Sequence, residues 1–337
     1  MAMEGFERKD GTMNDVIVFL FILPLILPCG HAGTPIQGPI RELGRCHFGV
    51  AYNVFVEGGI AYVTGNRGVQ IIDVRNPSEP RPISHIKIDD GAFGIFVEQN
   101  IAYIAGQKDG LFIADVSDPG APGIIGVYSE KKGMYHEDIV VRKDHGFVSL
   151  RDGRLIVLDI SDKREPQRIG ELKAGADGRG LGIRQDILYF ASGFSGLEVI
   201  DVDDPASPQK IGTVPGTQGA SSIEIHEQIL FLGCGGQGVK ILDISNPGVP
   251  KGIGAFNDGG ESNSVFYKDS YLFVADQNDR CIEILDVGDP TQPNKLAENG
   301  NDRYIPHDIF FDGRYIYTAD AKNGLVILEY DPNARQR

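Results

Sequence analysis

Beyond residue 45, short apolar runs return along the chain at a nearly fixed interval. The most regular occupy 69–74, 111–116, 155–160, 197–202, 239–244, 282–287 and 325–330. Each carries an acid near its end, at Asp73, Asp115, Asp159, Asp201, Asp243, Asp286 and, in the seventh, Glu329. Successive acids stand 42 to 44 residues apart. Runs this short, rich in Val, Ile and Leu and bounded by Asp, Gly and Pro, predict β-strands. A period of about 40 to 45 residues without any helix-length pattern is that of a four-stranded propeller blade. The runs are apolar at consecutive positions, so neither face of the predicted strand suits water and each sheet must be covered on both sides.

The same order of signals surrounds every run. An innermost strand such as Val54-Phe55-Val56 or Ile223-Glu224-Ile225 precedes a polar turn, and a second strand such as Ala61-Tyr62-Val63-Thr64 follows. After the apolar run comes a turn of the form Ser117-Asp118-Pro119 or Asp203-Asp204-Pro205, and a fourth strand opens near a proline, as at Pro166-Gln167-Arg168-Ile169-Gly170. The prediction is an all-β, seven-bladed β-propeller of four-stranded antiparallel blades spanning 39–330, with a tail over 331–337. That tail is too short for a fourth strand in the last blade. Pro39-Ile40-Arg41-Glu42-Leu43-Gly44 resembles the missing strand with one extra residue between proline and leucine. An N-terminal strand is therefore expected to complete the last blade and leave no open edge. The repeated acid, followed shortly by Ser/Asp-Asp-Pro, has the chemistry of a self-capped turn; calcium would need six to eight converging oxygens.

The stretches Leu111 to Pro119, Leu155 to Asp162, Leu197 to Pro205 and Val239 to Pro247, with the Ala-Tyr strands at Ala61 and Ala102, resemble the LVIVD-repeat family of bacterial and archaeal surface β-propellers. The resemblance covers almost the whole predicted folded region. WD40 proteins share the period, but this chain has no Trp. The resemblance implies an architecture and an extracytoplasmic setting, and no reaction.

An unbroken apolar run over 16–27 precedes Gly30-His31-Ala32. It is too short to span a bilayer as a helix and matches the core of a signal peptide, with small residues placed for cleavage. A signal peptide over 1–32 and a linker over 33–38 are expected; translation from Met13 is an alternative start, and lipid attachment at Cys29 or an uncleaved anchor are alternative fates. Each places the folded part outside the cytoplasm, secreted, periplasmic or on the cell surface, with membrane contact only through the N-terminal segment. A formal net charge of -15 argues against nucleic acid and against anionic lipid. The four cysteines, Cys29, Cys46, Cys234 and Cys281, form neither a zinc pattern nor a disulfide framework.

Propellers commonly bind ligands where the innermost strands begin, around the central channel. Aligning those strands on Val54, Ile95, Ile139, Leu181, Ile223, Val265 and Ile309 places Tyr52, Phe93, Glu137, Arg179, Ser221, Asn263 and His307 two positions earlier. One position earlier stand Asn53, Gly94, Asp138, Gly180, Ser222, Ser264 and Asp308. Tyr52, Phe93, Glu137, Arg179, Asn263 and His307 are the expected ligand-binding set. His136 and His307, nearly opposite on the ring, are candidate ligands for a divalent metal, and His136, Glu137 and Asp308 are candidate catalytic groups. The alternative is a hydrated, self-neutralising channel in which Arg179 pairs with Glu137. No Gly-x-Ser-x-Gly elbow, phosphate-binding loop or His-Glu-x-x-His segment occurs. Three functions stay open. The first is a monomeric exported module that binds a surface protein, a polysaccharide or a small polar ligand. The second is a secreted metal-dependent or acid–base lyase or hydrolase acting on a carbohydrate-like substrate. The third is a structural surface component.

Overall fold

A computed structural model describes residues 39–129, 134–300 and 303–334. The expected leader and linker, with Cys29, lie outside the described residues. Seven four-stranded antiparallel sheets and no helix are present among them. Blade 1 is β2 (Ala51–Glu57), β3 (Ile60–Gly65), β4 (Gly68–Asp73) and β5 (Arg81–Lys87), running from the channel outward. Blades 2 to 6 repeat it as consecutive quartets starting at β6 (Ala92–Glu98), β10 (His136–Arg142), β14 (Leu181–Arg184), β18 (Ser222–His226) and β22 (Ser262–Lys268). The seventh blade is β26 (Pro306–Phe311), β27 (Tyr315–Asp320), β28 (Gly324–Tyr330) and, outermost, β1 (Ile40–Cys46), so the N-terminal strand closes the ring.

The third strands explain why the ring must close. In β12 (Arg154–Asp159), Leu155, Ile156, Val157 and Leu158 are all fully buried, two against each neighbouring blade. Each such side chain contributes about 1.5–3 kcal/mol on leaving water, so neither face is tolerable exposed. Seven hydrophobic clusters result, each bridging one junction; Val54, Val63 and Ile72 of blade 1 pack with Tyr317, Leu325 and Ile327 of blade 7. Cys46, Cys234 and Cys281 are buried thiols of these layers and form no disulfide.

The repeated acids cap turns. Asp115 Oδ1 accepts the Ser117 N–H at 2.9 Å, Asp159 that of Ser161 at 2.9 Å and Asp243 that of Ser245 at 2.7 Å. Hydrogen bonds from the hydroxyl and backbone N–H of these serines hold all three carboxyls below the usual range, the hydroxyl leading at Asp115 and the backbone at Asp159 and Asp243. The following Asp118 and Asp204 cap Gly120 and Ala206 in the same way.

Each fourth strand pairs with the third through one bulge, whose extra residue is Ile83, Ile125, Ile169, Ile211, Ile253 or Leu296 in blades 1 to 6. In β1 the extra residue is Leu43, opposite the step from Ile327 to Leu328. The N-terminal segment thus reproduces the register of a true fourth strand. At Gly44 and Gly170 the glycine after the bulge lets the next blade's turn nest against it: a Cβ would lie 2.4 Å from Pro77 O on Gly44 and 2.4 Å from Pro205 O on Gly170.

The closure is also pinned by a buried polar network. Arg45 donates through Nε to Glu42 Oε1 at 2.6 Å and through Nη1 to Asn323 Oδ1 at 3.2 Å, while the Tyr304 hydroxyl donates to Glu42. Asn323 in turn donates to Asp320 Oδ1 at 2.7 Å. Arg45→Ala leaves Glu42 buried without its guanidinium. A loss of about 3–5 kcal/mol is expected, read as a lower urea midpoint. Arg41→Ala removes only the exposed pair with Glu329 and should cost no more than about 1 kcal/mol in the same assay.

Candidate functional site at the channel mouth

The inner strands begin together at one end of the ring, and there the chain departs from regular pairing. The register of inner against second strand slips between Ala51 and Val54, Ala92 and Ile95, His136 and Asp138, Ser262 and Ser264, and Pro306 and Asp308. In a regular strand Tyr52 and Asn53 would face opposite sides; a bulge re-aims neighbouring side chains. As a result, all fourteen positions expected at the rim line one cavity of about 370 Å³, joined by Arg151 and Gln277.

Hydroxyls of one blade hold the mouth residues of the next. Thr64 Oγ1 donates to Phe93 O at 2.6 Å, Ser149 Oγ to Arg179 O at 2.5 Å and Ser221 Oγ to Asn263 O at 2.9 Å. The two aspartates act likewise. Asp138 Oδ2 accepts the Leu181 N–H at 2.9 Å; Asp308 accepts the Val54 N–H at 3.0 Å and the Ser264 hydroxyl at 2.5 Å. Burial pushes the Asp138 carboxyl up to about 7 against the pull of its backbone donors, and raises that of Asp308 for the same reason.

The two sides of the mouth differ in chemistry. Blades 7, 1, 2 and 3 present an aromatic arc: Tyr52 stacks on His307 with centroids 5.4 Å apart, meets Phe93 edge-on at 4.7 Å, and Phe93 neighbours Tyr135 at 6.5 Å. The Arg151 guanidinium lies 5.2 Å from both the Phe93 and Tyr135 rings and forms a 2.5 Å ion pair with Glu137. Burial still leaves the Glu137 carboxyl above its ordinary range. The Tyr52 hydroxyl donates to Asn66 Oδ1 at 2.7 Å. Blades 5 and 6 present only hydroxyls and amides, from Ser221, Ser222, Asn263, Ser264 and Gln277. Asn263 Nδ2 is buried there and has no hydrogen-bond acceptor.

The expected pairing of Arg179 with Glu137 does not form. Arg179 pairs with Asp177 at 2.9 Å, and Arg151 takes Glu137. Arg151 was legible by register: it follows the second strand β11 (His145–Leu150), as Gln277 follows β23 (Tyr271–Asp276). The two histidines are not brought together in one lining. His307 lies in the cavity wall with Nδ1 2.8 Å from Ala51 O, whereas His136 is buried, with Nδ1 3.2 Å from Gln107 O. Among the described residues the one set of three potential metal ligands lying within 4.8 Å is Asp258, Glu283 and Glu298, on blade 6. Lys295 Nζ stands among them, at 2.6, 3.2 and 2.5 Å. Lys210 pairs with the buried Glu198 of blade 4 in the same way at 2.7 Å, so the blade 6 acids surround the chain's own ammonium.

The LVIVD repeat matches this chain seven times, over residues 48–85, 91–130, 135–172, 178–215, 219–258, 259–299 and 306–329. The matches begin at the inner strands, and the last ends in β28, where β1 takes over. No curated protein matches. Among solved structures, the crystal structure of the computationally designed Ika8 protein is similar at 11% identity, with a TM-score of 0.65 over 90% of this chain and 96% of that one. At that identity the likeness shows the fold alone.

Deeper in the channel, Glu224 on β18 lies near Asp308; burial and that neighbouring charge push its carboxyl up to about 8. A carboxyl raised on folding stabilises the native state fully below its unfolded value, near 4, and the contribution is lost as pH rises through about 8. Between about pH 6 and 9 the wild type should therefore lose a few kcal/mol that Glu224→Gln retains. Thermal unfolding across that range checks this; parallel curves for the two proteins would contradict it.

Proposed function

The chain belongs to the LVIVD-repeat family, and we propose that this member is an exported recognition module, secreted or held at the cell envelope, that binds a small polar ligand in its channel mouth. The observation that carries this is convergence: fourteen positions from seven separate blades line one cavity, and their identities differ from blade to blade where a purely architectural ring would repeat them. The buried amide of Asn263, with a donor left over, supports a ligand that accepts hydrogen bonds, since an unmet buried donor costs about 1–3 kcal/mol. Export is supported by the apolar run over 16–27.

Catalysis draws less support. An acid–base lyase or hydrolase needs a carboxyl free to move a proton, yet Glu137 is paired with Arg151 and both mouth aspartates accept backbone N–H groups. A partner protein is the second occupant to consider, because Phe194 is 88% exposed in the hairpin between β15 (Ile187–Ala191) and β16 (Leu197–Asp201). Its neighbour Gly193 abuts Asp177, the partner of Arg179 at the mouth.

A screen of soluble polysaccharides and small polar metabolites against the chain from Gly33 tests the proposal. A ligand is expected whose affinity falls on the order of tenfold or more in Tyr52→Ala and in Asn263→Ala, with Phe194→Ala unchanged. Binding lost only in Phe194→Ala would move recognition to the loops; binding that survives all three would remove the mouth from consideration.

A further inference from the structure

The connection that joins the closing strand to blade 1, His47-Phe48-Gly49-Val50, borders a cavity of about 770 Å³ at the seam of the ring. It lies close over the hairpins on either side. A Cβ on Gly324 would stand 2.4 Å from Cys46 O, and one on Gly65 2.4 Å from Val50 O. The opposite wall belongs to β4 and β5 of blade 1, with Val69, Pro82 and Ile83, and to the outer turn of blade 2. The volume falls within the roughly 300–1,000 Å³ of small-molecule sites. The seam cavity shares no lining residue with the mouth; the two meet only where the Tyr52 hydroxyl donates to Asn66 Oδ1.

Most sibling blades fill the corresponding place with their own side chains. It is governed by the second residue of each apolar run. Phe112 packs into the layer between blades 1 and 2, Ile156 into that between blades 2 and 3, and Val326 into that between blades 6 and 7. In blades 4 and 6 the position holds Glu198 and Glu283, each paired with a lysine of its own blade. Blade 1 has Gln70 instead. Its Nε2 turns back along the blade to donate to Ser84 O at 3.0 Å, and the space beside it stays open.

The charge of this cavity is opposite to that of the chain. The net charge is -15, and Asp138 and Asp308 line both the mouth and a lower cavity of about 160 Å³ further along the channel. Among the described residues no Asp or Glu lines the seam cavity, whereas Arg67, His47 and His85 do. Arg75 and Arg81, on the same blade, are paired with Asp73 and Glu79. The Arg67 guanidinium has no hydrogen bond and no ion pair among the described residues. A positive, acid-free wall in so acidic a protein is complementary to an anion.

We infer that the seam cavity is a second binding site, for a small monocarboxylate with an apolar body, its head paired with Arg67 and its hydrocarbon against Phe48, Val69, Pro82 and Ile83. The guanidinium fork matches a carboxylate with two parallel N–H donors, and the imidazoles of His47 and His85 supply further polar contacts. The apolar wall is what separates this ligand from an inorganic anion, which would leave that surface in water. An organic cation would meet Arg67 with no acid to offset it. The site is independent of the mouth and differs from it in chemistry, since the mouth offers amides and hydroxyls for a polar molecule.

The probe is sodium octanoate, with octylammonium chloride and sodium acetate at equal ionic strength as controls, read on the full chain by thermal unfolding and calorimetric titration. Octanoate is expected to bind and to raise the melting temperature of the wild type. Octylammonium has the same tail with the opposite charge and acetate has the head alone; neither should bind. Arg67 is exposed, so Arg67→Ala keeps the fold and should weaken octanoate on the order of tenfold. Gln70→Phe gives blade 1 the residue that blade 2 has at Phe112; it should fill the cavity and abolish binding, with the unliganded melting temperature close to that of the wild type. Should Gln70→Phe fail to fold, Arg67→Glu decides in its place, and loss of octanoate is expected. A wild type indifferent to octanoate, equal binding of octylammonium, or Arg67 variants that hold octanoate as tightly as the wild type would overturn the inference.

Discussion

A strand that is apolar on both faces cannot lie at the surface of anything, and this chain contains seven of them. Leu155 to Leu158 are covered by blade 2 on one side and blade 4 on the other. The same demand at Leu325 to Leu328 binds blade 7 to blades 6 and 1. A row of such sheets would leave its two end sheets each with one apolar face in water. A ring has no ends, which makes closure a thermodynamic requirement. The N-terminal strand answers it with the bulge of the other joints and with a glycine against the next blade's turn, as blade 3 does, at Leu43, Gly44 and Pro77. Because β1 and β28 are distant in sequence, closure also commits the whole chain at once. The Arg45–Glu42–Tyr304 network adds directional bonds to that seam.

Closure also determines where chemistry can occur. The layers between blades are filled by side chains in contact on all sides, so function is confined to the ends of the strands and the channel. At the mouth, bulges in five blades turn two adjacent residues toward the channel where a regular strand would offer one. Hydroxyls from neighbouring blades then hold Phe93, Arg179 and Asn263 by their carbonyls. The mouth is thus built on rigid elements, which keeps its geometry defined without a ligand.

What the sequence revealed and what it concealed divide along the same line. Blade number, closure and the fourteen rim positions follow from period and register, and those are properties of the string of residues. Partner choice is a property of side chains meeting across blades. Glu137 has Arg179 at the matching position of the next blade, yet Arg151 reaches it from its own blade's second strand. His136 and His307 look alike in their motifs, but His136 stands three positions before Ile139 and pairs opposite Leu150, whereas His307 stands two before Ile309, in the bulge, and reaches the mouth. The bulges themselves leave no mark in the alternation of apolar and polar residues. Lys295 likewise stands twelve residues from Glu283, and only the bulge between Ile284 and Leu285 swings its stem toward those acids.

In a repeat protein, the residues that matter for function are those where one blade refuses the solution its siblings adopt. The channel below the mouth shows this. Phe310 there contacts Phe55 and Phe266, from blades 7, 1 and 6. Blade 5 places the half-buried Glu224 at the same level, lining the lower cavity with Asp138 and Asp308. A carboxyl gains nothing from ring packing and favours water beside it, whereas another phenylalanine would extend the apolar contact. The departure falls on the blade that also carries Ser221 and Ser222, so the polar side of the mouth continues down the channel along the same strand.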